Sequence, residues 1–456
     1  MKRLVIFLSV LLLVCSSPLW AVTLTVSTAG GTGDFNSIQL AINSCLSNPD
    51  LPDVINILDD GPYYEALDIG TSGFDLTIQG NSGSRPVVVV SATNANGGAF
   101  GASNRAFDLR VDASTTMIKD LVIIPDVADP PAKGISIYPW STLSNYYVTL
   151  DNVVITANDG SDGPVTMDGL TLVSDATTFT DDVIDLASSS NPGHVVLNKV
   201  ICSKATLGAN DGLRVLMDGV SGSRASVDVG PGCVFSYIPE YGIYFGTSNY
   251  LSASISGTST SPVIVTNNGK WGIWDYNNVG NSAITTLNWV IVANNTDIGY
   301  RISGTSNPAN ISMTNCTFAN NGKSAIDASP GTGPITITAS NVIIAGNGNF
   351  DGLTTNNINI GAHTLNASNS AVVLTGTYSL DTNTDADGVV GSGTYTPTAV
   401  TNANPYFASL DPANANFLSV QNDTYQTAGP GGTPLTGAGK FIGGVVPVEL
   451  SSFQVE

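Results

Sequence analysis

Charge is scarce in this chain. Only 11% of its 456 residues are charged, and 15 Lys and Arg stand against 36 Asp and Glu, a formal net charge of −21. A chain with so few cations lacks the basic patches that nucleic acid or an anionic membrane would require, so neither is expected as a partner. Beyond the N-terminus no apolar run reaches the length of a bilayer span, which argues against an integral membrane segment. Cysteine is sparse as well. Past the first residues there remain Cys45, Cys202, Cys233 and Cys316, with no CxxC pair and no cluster with His, so metal and redox chemistry find no ligand set here. Their simplest role is as small buried hydrophobes, although an exported protein would permit disulfides whose pairing the spacing does not assign.

What the chain has instead is turn residues. Its 48 Gly, together with many Asn, Ser and Thr, separate short β-branched runs such as "VVITA", "PVIVT" and "NVIIA". At 42% hydrophobic residues it is too apolar for disorder, and the Gly/Asn content argues against a helical bundle. An all-β chain with many turns follows. At the N-terminus, Lys2 and Arg3 precede an apolar run from Leu4 to Val14 and a small residue, Ala21, which reads as a secretory signal over 1–21. Cys15 follows Val14, which is not the small residue that lipid attachment wants. Cleavage would remove two positive charges and deepen the net charge to −23.

"VTNNGKWGIW" (265–274), "VANNTDIGYR" (292–301) and "FANNGKSAID" (318–327) are one phrase repeated every 26 or 27 residues. Aligned on a Gly before an apolar-x-apolar triplet, the series runs through Gly134, Gly169, Gly212, Gly242, Gly272, Gly299, Ala325 and Gly352. A second column, Asp120, Asn152, Asn198, Gly232, Ser261, Asn288, Asn315 and Asn341, falls between two further short strands. Three strands per repeat with Asn at a turn has a physical meaning. Asn accepts the left-handed conformation of a sharp turn, and its amide can bond its counterpart in the next repeat. Stacked repeats would form parallel sheets around an apolar interior, with an asparagine ladder at that column.

This pattern resembles the right-handed parallel β-helices of the pectin-lyase-like superfamily, of bacterial exported type. The expected fold is an all-β, single-stranded parallel solenoid of about ten coils over 54–400. A helical cap is expected over 22–53, where Ile38, Ala41, Ile42, Cys45 and Leu46 have amphipathic spacing behind Asp34 and Ser37 as capping candidates. The phrase "GDFNSIQLAI", followed by "GPYYEAL", looks like the opening of pectin methylesterases and other β-helix proteins. A closing segment over 401–445 and a tail over 446–456 resemble the ends of bacterial surface β-helix proteins.

The resemblance is nearly silent on activity. The "QAVA", "DFIFG" and "GRPW" phrases of pectin methylesterases are absent, and no two Lys share a column with an Arg as a lyase base would require. Polygalacturonases use "NTD", "DD" and "GHG" in that order. Here "NTD" (295–297) follows "DD" (181–182), only "PGH" at His194 stands for the third, and "NTD" occupies an ordinary repeat turn.

Reading by columns gives a better lead. Ile135, Leu170, Leu213, Ile243, Ile273, Tyr300, Ile326 and Leu353 should point inward, so the next residues, Ser136, Thr171, Arg214, Tyr244, Trp274, Arg301, Asp327 and Thr354, should point outward. Arg214, Tyr244, Trp274 and Arg301 would form the substrate-binding core of a ridge about 20 Å long, aromatics stacking on sugar rings and Arg binding carboxylate or sulfate. Asp327 is the weak catalytic candidate. The competing reading has Tyr244 and Trp274 covered by an insertion or stacked on Arg as cation–π pairs. A second lead is "DTNTDADG", where Asp381, Asn383, Asp385 and Asp387 could hold Ca²⁺, with an Asx-rich turn as the alternative.

The expectation is therefore a secreted or cell-surface monomer that binds or processes polysaccharide or a cell-surface glycan. A non-catalytic adhesin or structural surface protein is the first alternative. A polysaccharide lyase or glycoside hydrolase with unplaced catalytic residues is the second.

Overall fold

The computed structural model describes residues 22–401 except for connecting segments, the longer of which are 92–104, 127–132, 140–145, 157–164, 173–181, 204–210, 277–283, 348–357 and 374–388. The expected signal at 1–21, the Asp381–Asp387 loop, the closing segment past Thr401 and the tail lie outside the described residues.

The chain is a parallel β-solenoid of about seven turns rather than about ten. Six successive turns carry three separate short strands, such as Tyr241–Phe245, Leu251–Ser256 and Val263–Thr266. Elsewhere two strands of a turn fuse across a bend into one long strand, as in Thr115–Pro125, Tyr146–Thr156 and Thr364–Val373, which the even count of repeats did not anticipate. An eleven-stranded parallel sheet, which takes the first strand of each of these turns, is here called side one. The second and third strands form sides two and three, which the long fused strands link into a single 21-stranded sheet.

The interior follows from period-2 alternation. On side one the inward rungs Ile135, Ile184, Leu213, Ile243, Ile273, Tyr300, Ile326 and Ile358 pair in register, each with no exposed surface. Two expected members of that column are replaced. Leu170 lies in an antiparallel hairpin, Val165–Met167 with Leu170–Leu172, so Ile184 holds its rung. Leu353 lies outside the described residues, and Ile358 occupies the position after Ile326.

Two kinds of sharp turn hold the corners, and both use left-handed backbone. Between sides two and three, positive φ falls at Asp120, Asn152, Gly232, Asn315 and Asn341 as expected, but at Lys199 and Trp289 rather than Asn198 and Asn288. Side-chain bonds in this column run from Asn152 to Asp120 and from Asn341 through Asn315 to Asn288. The stronger ladder is one turn further on, at "NN". The first Asn (Asn267, Asn294, Asn320) supplies the positive φ. The second (Asn268, Asn295, Asn321, and then Asn347) turns inward and is 0–1% exposed. Each amide donates to the next carboxamide oxygen at 2.8, 2.9 and 2.8 Å. That oxygen also accepts a backbone N–H from the turn before, and the second amide hydrogen goes to a main-chain carbonyl. Every donor and acceptor of these buried amides is therefore used. The repeat's Gly makes room for them. A Cβ on Gly272 would sit 2.7 Å from the Asn295 amide nitrogen and 2.6 Å from a Val292 methyl.

Helix α1 (Ile38–Leu46) packs Ile38, Ala41, Ile42 and Cys45 onto the core. Ser37 caps it by accepting from the Leu40 N–H, while Asp34 instead bonds Thr25. Its N-terminus is anchored by Glu65 of the "GPYYEAL" phrase, whose buried carboxylate accepts from the backbone N–H of Ile38 and Gln39 at 2.9 and 2.8 Å.

Cys45, Cys202, Cys233 and Cys316 are free thiols with 0–2% exposure. Burial, with the Asp53 carboxylate adding to it, pushes Cys45 up to about 12, and burial takes Cys233 and Cys316 to about 12 as well. Burial also raises Cys202. A thiol reagent at pH 8 is expected to leave all four unmodified in the native protein and to label them once it is denatured.

Candidate functional site

Side one places the predicted ridge in register. Arg214 pairs with Tyr244, Tyr244 with Trp274, Trp274 with Arg301 and Arg301 with Asp327. The neighbours differ from the sequence reading. Asp185, not Thr171, is the rung before Arg214, and Asn359 follows Asp327; Thr354 lies outside the described residues.

A second line of side chains, three residues earlier in each turn, runs beside the first. Tyr241 stacks on Trp271 (4.9 Å between ring centroids, 27° between planes), as Tyr244 stacks on Trp274 (4.6 Å, 26°). The two indoles meet edge to face at 4.6 Å, and Tyr276 lies 5.1 Å from Trp274. The Arg301 guanidinium sits 4.4 Å over Trp271. Both indole N–H groups are used, Trp271 donating to Asp297 at 3.2 Å and Trp274 to Ser303 at 2.8 Å. The ridge is thus half-buried rather than freely exposed, because each ring covers its neighbour. The pairs add roughly 0.5–1.5 kcal/mol each beyond their burial.

Below the aromatics lies an ionic network that sequence reasoning missed. Lys133 contacts Asp185 and, at 3.6 Å, Asp182, while Arg214 bonds Asp182 at 3.0 Å. Asp182, Asp185 and Asp211 are 0–4% exposed. The available signal was acids set inside apolar strands, "DDVIDLA" and "DGLRV". Burial alone would lower Arg214, but the bond to Asp182 and the charges of Asp182, Asp185 and Asp211 carry it above its ordinary value. Burial, then the Asp211 charge, raises Tyr244. Burial, then Glu240 and Asp211, raises Tyr241.

A phenol raised in the folded state contributes stability that is complete below its unfolded pKa of about 10 and fades as pH climbs above it. Absorbance titration should accordingly show Tyr241 and Tyr244 still protonated at a pH where a free phenol has ionised.

At the other end of the ridge, Arg301 lies 3.9 Å from Asp327, which is 8% exposed. The rungs flanking Asp327 are Arg301 and Asn359, so no second carboxylate adjoins it in register. Two-carboxylate glycoside hydrolysis requires a partner roughly 5–10 Å away. On side two, His194 Nδ1 lies 2.7 Å from Ser226 Oγ and Nε2 lies 3.3 Å from Asp228. The strands that carry this string pair in the parallel ladder of side two. Among the described residues no cluster of His, Cys, Asp and Glu could hold a metal ion, and no helix is long and apolar enough to cross a membrane. No family model, curated protein or solved structure matches the chain.

Proposed function

We propose that this is an exported surface protein, built on a solenoid of the pectin-lyase-like kind, that binds an acidic polysaccharide or cell-surface glycan along side one without cleaving it. The observation that carries the reading is the registered strip from Arg214 through Tyr244 and Trp274 to Arg301, cationic at both ends and aromatic between. A polyanion laid along it would meet guanidinium groups suited to carboxylate or sulfate, and ring edges and faces suited to sugar. Binding is favoured over cleavage because Asp182 and Asp185 are buried in ion pairs at 0–4% exposure, where a polymer does not reach, and Asp297 beside Trp271 is engaged by Lys323. Helix α1 is read as the cover of the first turn, anchored there by Glu65.

One observation favours the alternative of a structural or adhesive stalk. Trp271 is stacked by Tyr241 and overlain by Arg301, which uses ring surface a sugar would need. Incubating the purified protein with acidic and neutral polysaccharides, and following both retardation in polymer-containing gels and release of fragments, separates the readings. Binding of an acidic polymer without fragments is expected. Fragments would make the protein an enzyme, and no binding to any polymer would leave the stalk.

A further inference from the structure

We propose that side two is an ice-binding surface. Its four strands Leu251–Ser256, Ile284–Asn288, Ala309–Thr314 and Ile335–Ser340 contain no Asp, Glu, Lys or Arg. Their outward positions form a grid of small polar groups. One column runs Ser254, Thr286, Ser312, Thr338 in register. The adjacent column, two residues on, runs Ser256, Asn288, Thr314, Ser340. The backbone register continues from Thr338 to Asn366 and Thr396.

Exposure and hydrogen bonding supply a second observation. Ser312 and Thr338 are exposed, whereas the outward residues of side three, such as Val234, Ile264 and Ile291, are an aliphatic ladder at 1–2% exposure. No hydrogen bond among the described residues engages the hydroxyls of Thr286, Ser312, Thr314, Thr338 or Ser340. Their bonding capacity is directed to solvent. The grid ends at the turn where Asp228 and His194 appear.

The spacing decides what solvent does there. Neighbouring turns lie about 4.8 Å apart and alternate residues of a strand about 6.7 Å apart, and from Ser254 onward, past a register shift at Ala253/Ser254, the two columns stay in register. These two repeats are close to those of water oxygens on a prism face of hexagonal ice. The β-branched threonines hold their hydroxyls in few rotamers, so first-layer water is ordered by a fixed template. The absence of charge removes groups that would orient water radially. A sugar is the less suited partner, since this side offers neither aromatic platform nor bidentate donor.

The test is inhibition of ice recrystallisation and shaping of single ice crystals by the purified full chain, with Thr338→Lys and Ser312→Lys as variants on the grid and Arg301→Ala as a variant on side one. The expected result is inhibition by the parent and by Arg301→Ala, and loss in both lysine variants, with unchanged β-sheet circular dichroism. No inhibition by the parent, or inhibition that survives both lysines, would overturn the proposal.

Discussion

Replacing Asn295 by Ala is expected to destabilise the turns around it by about 3–5 kcal/mol, because it orphans several buried groups at once. The Asn268 amide and backbone N–H both lose the acceptor Asn295 Oδ1, and the Asn321 oxygen and the Val265 carbonyl both lose the donor Asn295 Nδ2. An unsatisfied buried polar group costs about 1–3 kcal/mol, and Ala leaves too little room for water to restore four bonds. A solenoid turn touches only its neighbours, so the loss should be local. Amide exchange should accelerate across residues 263–300 and stay slow across 53–90. Asn294→Gly, which keeps the positive φ and removes the outer bond from Asn320 while leaving the inner ladder intact, should cost less than about 1 kcal/mol. If the two variants behave alike, the inner ladder is not what holds these turns in register.

Lys133→Met is expected to cost about as much, some 3–5 kcal/mol, for a different reason. Met is apolar and similar in length, so packing is largely kept while a charge is removed from Asp182 and Asp185, which are 0% and 4% exposed. Arg214 remains beside these two carboxylates and Asp211. The loss comes from stranding buried charge rather than from the worth of the pair. The double variant Lys133→Met, Asp185→Asn should therefore recover a large part of it, measured as the midpoint of urea unfolding. A double variant no more stable than the single one would mean that Lys133 acts through its aliphatic stem.

How much of this was legible depends on which turn is considered. From Gly242 onward the repeats are 26 to 30 residues long and the ridge from Arg214 to Asp327 falls in register as read, because Gly242, Gly272 and Gly299 mark turns where the buried amide of the next leaves no space for a Cβ, and the small Ala325 follows in the same column. Earlier the same marker misled. "GLTL" at Gly169 satisfies the pattern, yet its Leu170–Leu172 is one strand of an antiparallel hairpin, while the turn on the ladder puts Val183 where Gly was sought. That slip hid Asp185 and with it the ionic network. The inner asparagine ladder was hidden otherwise: "NNG" reads as an ordinary turn, and only three-dimensional stacking shows that its second Asn points inward. The half-burial of the ridge came from rings covering rings, which no column of single letters displays.

The central claim is that side one, from Arg214 to Arg301, is a ligand surface. Gel retardation of the parent protein by an acidic polysaccharide, compared with Trp274→Ala and Arg301→Ala, tests it most directly. The account predicts that each substitution weakens binding by about tenfold or more, the equivalent of 1.4 kcal/mol, while circular dichroism stays that of the parent. Undiminished binding by both variants would contradict it.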